Sequence, residues 1–288
     1  MTNDEAYSIT LSDGRIAHVA PNADGWLLTI GGVQQSHIAA PGKPLALAYA
    51  RWMLAALGSG THRRIAQLGG GLLMLARAIA ERWPDAVQLV VESEPALVSL
   101  IHTNFPAPAG VTVIEGDARA WLSAAPPRSQ EAILIDVFQD GRIPPAFSSI
   151  ELAEDARRIL TDDGLLIINS VAGPQLDFTR RQLAGLQSVF PHVAMVVQGS
   201  ALGGLRFGNA CLVASGREID AVGIRERLRG DASKGALVTD LAAIIDNAAP
   251  MSESEGTWSP EPALPDVSST IEMINEMQRT LKRLLPDS

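Results

Sequence analysis

A single cysteine, Cys211, occurs in 288 residues, so no disulfide can form within the chain. Its place in the apolar run 210–214 reads as a buried, inert thiol. Positive charge is also scarce. A formal net charge of −9 argues against a nucleic-acid partner, which would need clustered Lys and Arg, and is compatible with a cationic substrate such as a polyamine or a sulfonium. No apolar stretch approaches the roughly 18–20 uncharged residues of a membrane span, which excludes a membrane partner. Met1-Thr2-Asn3-Asp4-Glu5 lacks the basic and apolar regions of a signal peptide, so a cytoplasmic protein is expected. The five histidines have no metal-ligand spacing, and neither a Gly-x-Ser-x-Gly pattern nor a P-loop lysine occurs; no metal is expected.

With 47% hydrophobic residues and only 5% aromatic ones, the composition suits an α/β core. The first 42 residues read as a small antiparallel β-domain. Its strands are Tyr7–Leu11, Arg15–Val19 and Trp26–Ile30, with turns at Asp13-Gly14 and Asp24-Gly25 and an end at Gly31-Gly32. A helix is expected over Leu45–Leu57. Strands and helices then alternate through residues 43–216, which predicts right-handed βαβ units and a mostly parallel sheet. The strands are Arg64–Leu68, Val87–Val91, Val111–Glu115, Glu131–Ile135, Leu165–Asn169 and Ala194–Gln198, and Ala210–Ala214 is expected to close the sheet edge. The helices are Leu72–Arg82, Pro95–Asn104, Ala118–Ala124, Ser149–Leu160 and Leu176–Phe190. Residues 217–288 read as a helical tail, with helices at Ile219–Arg229, Ala236–Asn247 and Ser268–Leu285. A disordered linker rich in Ser, Glu and Pro is expected at 251–267.

Four strand ends carry the chemistry. The strand 64–68 runs into Gly69-Gly70-Gly71, a turn that lets backbone approach a ligand closely before a helix N-terminus. The next strand ends at Glu92, 21 residues beyond Gly71, the spacing at which an acid accepts from ribose hydroxyls. The third ends in Glu115-Gly116-Asp117-Ala118, where Asp117 can accept from an adenine amino group, cap the following helix, or do both. The fourth delivers Asp136 from Ile133-Leu134-Ile135. Ligands of open α/β sheets sit beyond these carboxyl ends. The turn lacks the last glycine of G-x-G-x-x-G, which separates it from a nicotinamide site.

The Gly-Asp-Ala and Ile-Asp-Val-Phe elements resemble motifs of class I S-adenosylmethionine-dependent methyltransferases. Residues 27–36, ending Gln35-Ser36, resemble the L-x-L-D-G-x-x-Q-S end of the small β-domain of spermidine synthases. Tyr49, the triple glycine, the Val-Glu-Ser-Glu around Glu92 and Phe207-Gly208-Asn209 extend that resemblance over Tyr7 to Ser215. It is closest to the spermidine synthase-like proteins of actinobacteria, which keep D-V-F followed by P-x-x-F, here Asp136 to Phe138 and Pro144 to Phe147. The resemblance implies a Rossmann-like transferase fold. Glu92 would hold ribose, Asp117 and Ala118 adenine, and Gln35 would approach the nucleoside. The implied co-substrate is S-adenosylmethionine or its decarboxylated form, the implied reaction is aminopropyl transfer to an amine such as a polyamine, and a homodimer is compatible, with the tail after Val267 as candidate interface. The sequence departs from the family twice. Leu72 stands where the family's glycine turn carries an Asp, and Gln139 stands where its acid loop carries the proposed base. Asp136, or Asp140 one place beyond Gln139, is the remaining catalytic candidate. A methyltransferase of unknown acceptor and a non-catalytic nucleoside-binding protein are the alternatives.

Overall fold

A computed structural model of the chain describes residues 5–173, 176–202 and 207–262. The short alternating segments at the start form a four-stranded antiparallel sheet in sequential order: β1 (Tyr7–Thr10), β2 (Ile16–Asn22), β3 (Gly25–Ile30) and β4 (Val33–Ala39). Gly31-Gly32 turns the chain into β4 rather than ending the unit there.

The main sheet has eight strands: β5 (Arg64–Leu68), β6 (Val87–Glu92), β7 (Val111–Glu115), β8 (Gln130–Ile135), β9 (Leu160–Ala172), β10 (His192–Gln198), β11 (Gly208–Ser215) and β12 (Gly235–Val238). Their order is β12-β10-β11-β9-β8-β5-β6-β7. Pairings among β5 to β9 are parallel, and β11 enters antiparallel between β9 and β10. The helices are α1 (Ala48–Leu57), α2 (Met74–Arg82), α3 (Pro95–Asn104), α4 (Ala118–Ala124), α5 (Ile150–Ile159), α6 (Asp177–Val189), the single turn α7 (Gly199–Leu202), α8 (Ala221–Leu228) and the single turn α9 (Ala242–Ile245). The central strands are apolar on both sides because helices cover both faces. One apolar cluster packs α4, α5 and α6 on one face; another packs α1, α2 and α8 on the other. From β5 the chain steps outward to β6 and β7, then returns to β8 on the opposite side. Strand order therefore reverses between β5 and β8, and ligands bind outside such a reversal.

Four expectations are corrected. Ala210–Ala214 lies within β11, an interior strand, because β10 and β12 extend the sheet beyond it. The expected helix 236–247 begins instead as β12, whose backbone pairs with the otherwise open side of β10; only Ala242–Ile245 is helical. A short apolar run cannot by itself distinguish these states. Helix α2 starts at Met74 rather than Leu72, since Leu73 takes a left-handed φ of 62° and closes the glycine turn first. Residues 251–262 of the expected linker are a packed strap. Met251 and Ser259 are buried, Ile150 N–H donates to the Met251 carbonyl, and Arg142 Nε donates to the Ser259 carbonyl at 2.6 Å. Arg181 clasps this strap and the two residues before it through the Ala249 and Pro250 carbonyls and Glu255. The rest of the linker, the expected helix Ser268–Leu285 and Gly203-Gly204 lie outside the described residues.

The small sheet docks on the main one through its own apolar cluster. Tyr7, Trp26 and Phe105 pack with ring centroids 5.1–5.8 Å apart, and Ser12 donates to Glu94 at the start of α3. Leu72 is fully buried in the same cluster, with Leu11, Val19, Leu28 and Leu97. Leu72→Ala should therefore lower unfolding stability by about 2–5 kcal/mol. Urea denaturation checks this, with the midpoint expected to fall while the slope stays unchanged.

Candidate functional site

Four strand ends meet at the reversal. Gly69 leaves β5 with φ 87°, its N–H on the Val91 carbonyl at 3.0 Å. A Cβ at Gly69 would overlap the Asp136 carbonyl, and one at Gly70 would press on Val90 and Glu92, so glycine is required at both. Glu92 is buried at the end of β6. Its Oε2 accepts from Gly70 N–H at 2.9 Å and Gly71 N–H at 3.0 Å, while Oε1 accepts from Glu94 N–H at 2.9 Å. A carboxylate oxygen has two acceptor positions, so Oε1 retains one for a hydroxyl in the cleft.

Asp117 caps α4, its Oδ1 accepting from Ala120 N–H at 2.8 Å, and it lines the cleft beside the buried Ala118. Gln35 lines the cleft from β4. Its neighbour Ser36 is buried and accepts from Leu72 N–H at 3.1 Å, fastening the small sheet to the glycine turn. His37 points elsewhere, fully buried within the small sheet, and burial lowers its pKa. Together these walls enclose a cleft of about 1080 Å³.

Asp136 follows β8 into this cleft. Its Oδ1 accepts from Asn169 Nδ2 at 2.8 Å, and Asn169 Oδ1 accepts from Asn209 Nδ2 at 3.0 Å. Burial pushes the Asp136 carboxyl above the usual carboxylate range. The hydrogen bonds from Asn169 and Tyr49 oppose that rise, and the charge of Glu92 adds to it. The Tyr49 phenol is itself pushed well above its ordinary value, by burial first and by Asp136 second. Asn169 and Asn209 are the residues that sequence reasoning did not single out as ligand-facing. They sit on β9 and β11, and only the order β8-β9-β11 sets them in line with Asp136.

The structure does not bring Asp140 to Asp136. The Asp140-Gly141 pair makes a tight turn at φ 53° and 73°, and Asp140 projects outward to pair with Arg15 at 2.8 Å. It is well exposed and does not line the main cleft. Position 72 also differs from its expected place. Leu72 is sequestered in the apolar joint and contributes no surface to the cleft. Among the described residues no three His, Cys, Asp or Glu side chains converge as metal ligands, and no helix is long and apolar enough to cross a membrane.

No protein-family profile matches the chain. In structure it is similar to a probable spermidine synthase from Corynebacterium glutamicum, with a TM-score of 0.80 and 26% identity over 90% of this chain and 98% of that one. In sequence, 133 residues are 29% identical to a polyamine aminopropyltransferase of Chromobacterium violaceum. A further match gives 31% identity over 102 residues to a probable polyamine aminopropyl transferase of Bifidobacterium longum. These stretches cover 45% and 35% of this chain, but 51% and 23% of the two relatives, so the chain spans about half their length or less. The Rossmann-like transferase fold expected from sequence is the one observed.

Removing the Glu92 carboxylate would leave three amides without their acceptor. Glu92→Ala should weaken binding of an S-adenosylmethionine-type ligand by tenfold or more, about 1.4 kcal/mol or above. Titration calorimetry reads the change directly.

Proposed function

We propose that this chain, spermidine synthase-like in family and built on a methyltransferase fold, transfers the aminopropyl group of decarboxylated S-adenosylmethionine to an amine. The observation that carries this reading is the charge left over at the reacting end of the cleft. Asp136 is a carboxylate there. Both cleft-lining guanidinium groups are engaged: Arg15 with Asp13 and Asp140, and Arg119 with Asp155 and Glu253. Among the described residues no cation remains for the carboxylate of an intact methionine moiety. A donor that lacks that carboxylate suits the site better.

The chemistry asks for a base. An amine with a pKa of about 10 arrives protonated and cannot attack until that proton leaves. Asp136 attracts the ammonium as an anion, and its raised pKa makes it a stronger base than a solvated aspartate. Tyr49 and Asn169 orient the carboxylate. Glu92, with an acceptor position free on Oε1, would take a ribose hydroxyl, and Gly69 to Gly71 let the backbone approach the nucleoside closely. Asp117, Ala118 and Gln35 would border the base and sugar.

A base acts deprotonated, so turnover should fall as pH drops through the raised Asp136 value. That acid limb should lie above the ordinary aspartate value of about 3.9. The Asn169 hydrogen bond holds the pKa down, so Asn169→Ala should move the limb to still higher pH, while Asp136→Asn should reduce turnover by at least about a hundredfold. Methylthioadenosine release at a series of pH values measures both effects. Release of S-adenosylhomocysteine from S-adenosylmethionine, with no reaction of the decarboxylated donor, would replace this reading with methyl transfer.

A further inference from the structure

From Tyr49 the cleft runs along the first turns of α1 and α2, where Ala48, Met74 and Leu75 line it together with Leu47. All four belong to or pack against the apolar cluster that also holds Tyr49. The polar groups on this wall are neutral: the Tyr49 hydroxyl and the amides of Gln34 and Gln67. Gln67 is buried and donates to Gln88 at 2.6 Å.

The other carboxylates lining the cleft each have polar partners of their own. Glu92 holds three amides. Glu94 accepts from Ser12 N–H, Ser12 O–H and Ala96 N–H. Asp13 pairs with Arg15, and Asp117 caps α4. Of the two positions where the resemblance expects an acid, Leu72 is buried away from the cleft and Gln139 lines it with a neutral amide. Among the described residues Asp136 is the carboxylate that this apolar wall meets directly, through the Tyr49 hydroxyl.

We infer that the acceptor is a monoamine with an uncharged, apolar tail rather than a diamine; this rests on the aminopropyl-transfer reading. One ammonium finds its counter-charge in Asp136. A second, at the far end of the molecule, would shed its hydration against Met74 and Leu75, where no carboxylate among the described residues replaces it, which is unfavourable. A methylene tail in the same place gains from leaving water. In the transfer, the Asp136 carboxylate takes the ammonium proton. The freed nitrogen lone pair forms the new N–C bond to the methylene beside the sulfonium. The C–S bond breaks with its electron pair going to sulfur, which leaves as the neutral thioether of methylthioadenosine.

n-Hexylamine and 1,5-diaminopentane have the same number of heavy atoms and differ in one terminal charge. With the full chain and decarboxylated S-adenosylmethionine, methylthioadenosine release should give a kcat/KM at least tenfold higher for n-hexylamine. A value for the diamine equal to or above that for n-hexylamine would overturn the inference and leave aminopropyl transfer standing. No release with either amine would overturn both. Leu75→Glu supplies the missing anion and should reduce or reverse the preference. Should that variant fail to fold, calorimetric binding of the two amines to the unaltered protein, saturated with methylthioadenosine, reads the same preference. Tighter binding of the diamine there would again overturn it.

Discussion

Glu92 holds two separate stretches of backbone at a fixed spacing. Its carboxylate takes the N–H groups of Gly70 and Gly71 on one side and of Glu94 on the other, so the glycine turn after β5 and the entrance to α3 are set by one side chain. Backbone hydrogen bonds continue the lacing beyond the sheet: Gly69 to Val91, Gly116 to Glu92 and Asp136 to Leu68. The floor of the cleft and the position of Asp136 follow from this arrangement. So does the docking of the small sheet, because α3 begins at Glu94's grip on Ser12 and ends against Phe105. Three amide donors also make Glu92 a costly residue to remove, since each half-buried N–H would lose its acceptor.

Two carboxylates in one cleft thus have different environments. Among the described residues no charged donor bonds either, yet Glu92 is met by backbone dipoles aimed at its oxygens, whereas Asp136 is met by an amide and a phenol and otherwise by burial. Such a contrast supports the proposed division between an anchoring acid and a proton-handling one. The contrast is sustained by the strands around Asp136. Asn169 is itself fixed by Asn209, so the hydrogen bond opposing the rise in pKa is backed by a second one.

The strand-end acids were legible because a parallel strand ends where its apolar run ends, and each of these runs ends at an acid. Glu92 and Asp136 are found that way, and so is the boundary of β7 at Glu115. The Asn169-Asn209 pair was illegible for a complementary reason. Both residues look like ordinary strand polar positions until β11 is inserted between β9 and β10, an event of topology that leaves no local mark. Leu72 shows a different limit. The identity of the residue was plain, but its direction depended on Leu73 adopting φ 62°, which delays α2 and turns position 72 toward the small sheet. Asp140 was misplaced for a related reason, since an Asp-Gly pair at positive φ reverses the chain and carries the side chain outward. The strap at 251–262 reads as a linker by composition because its contacts are polar and distant in sequence: Arg142, Arg119 and Arg181.

That strap bears on how the protein is made. Glu253 supplies one of the two anions around Arg119, Ser259 Oγ is the acceptor for the buried Ile143 N–H, and Pro262 reaches the rim of the cleft. Among the described residues every other wall of the cleft is translated before residue 210. A chain still on the ribosome thus carries a nearly finished sheet whose ligand site lacks its last brace, with Arg119 half-neutralised and an amide hydrogen exposed. The last brace of the cleft is thus supplied by a segment that becomes available only after the sheet it closes on has been synthesised.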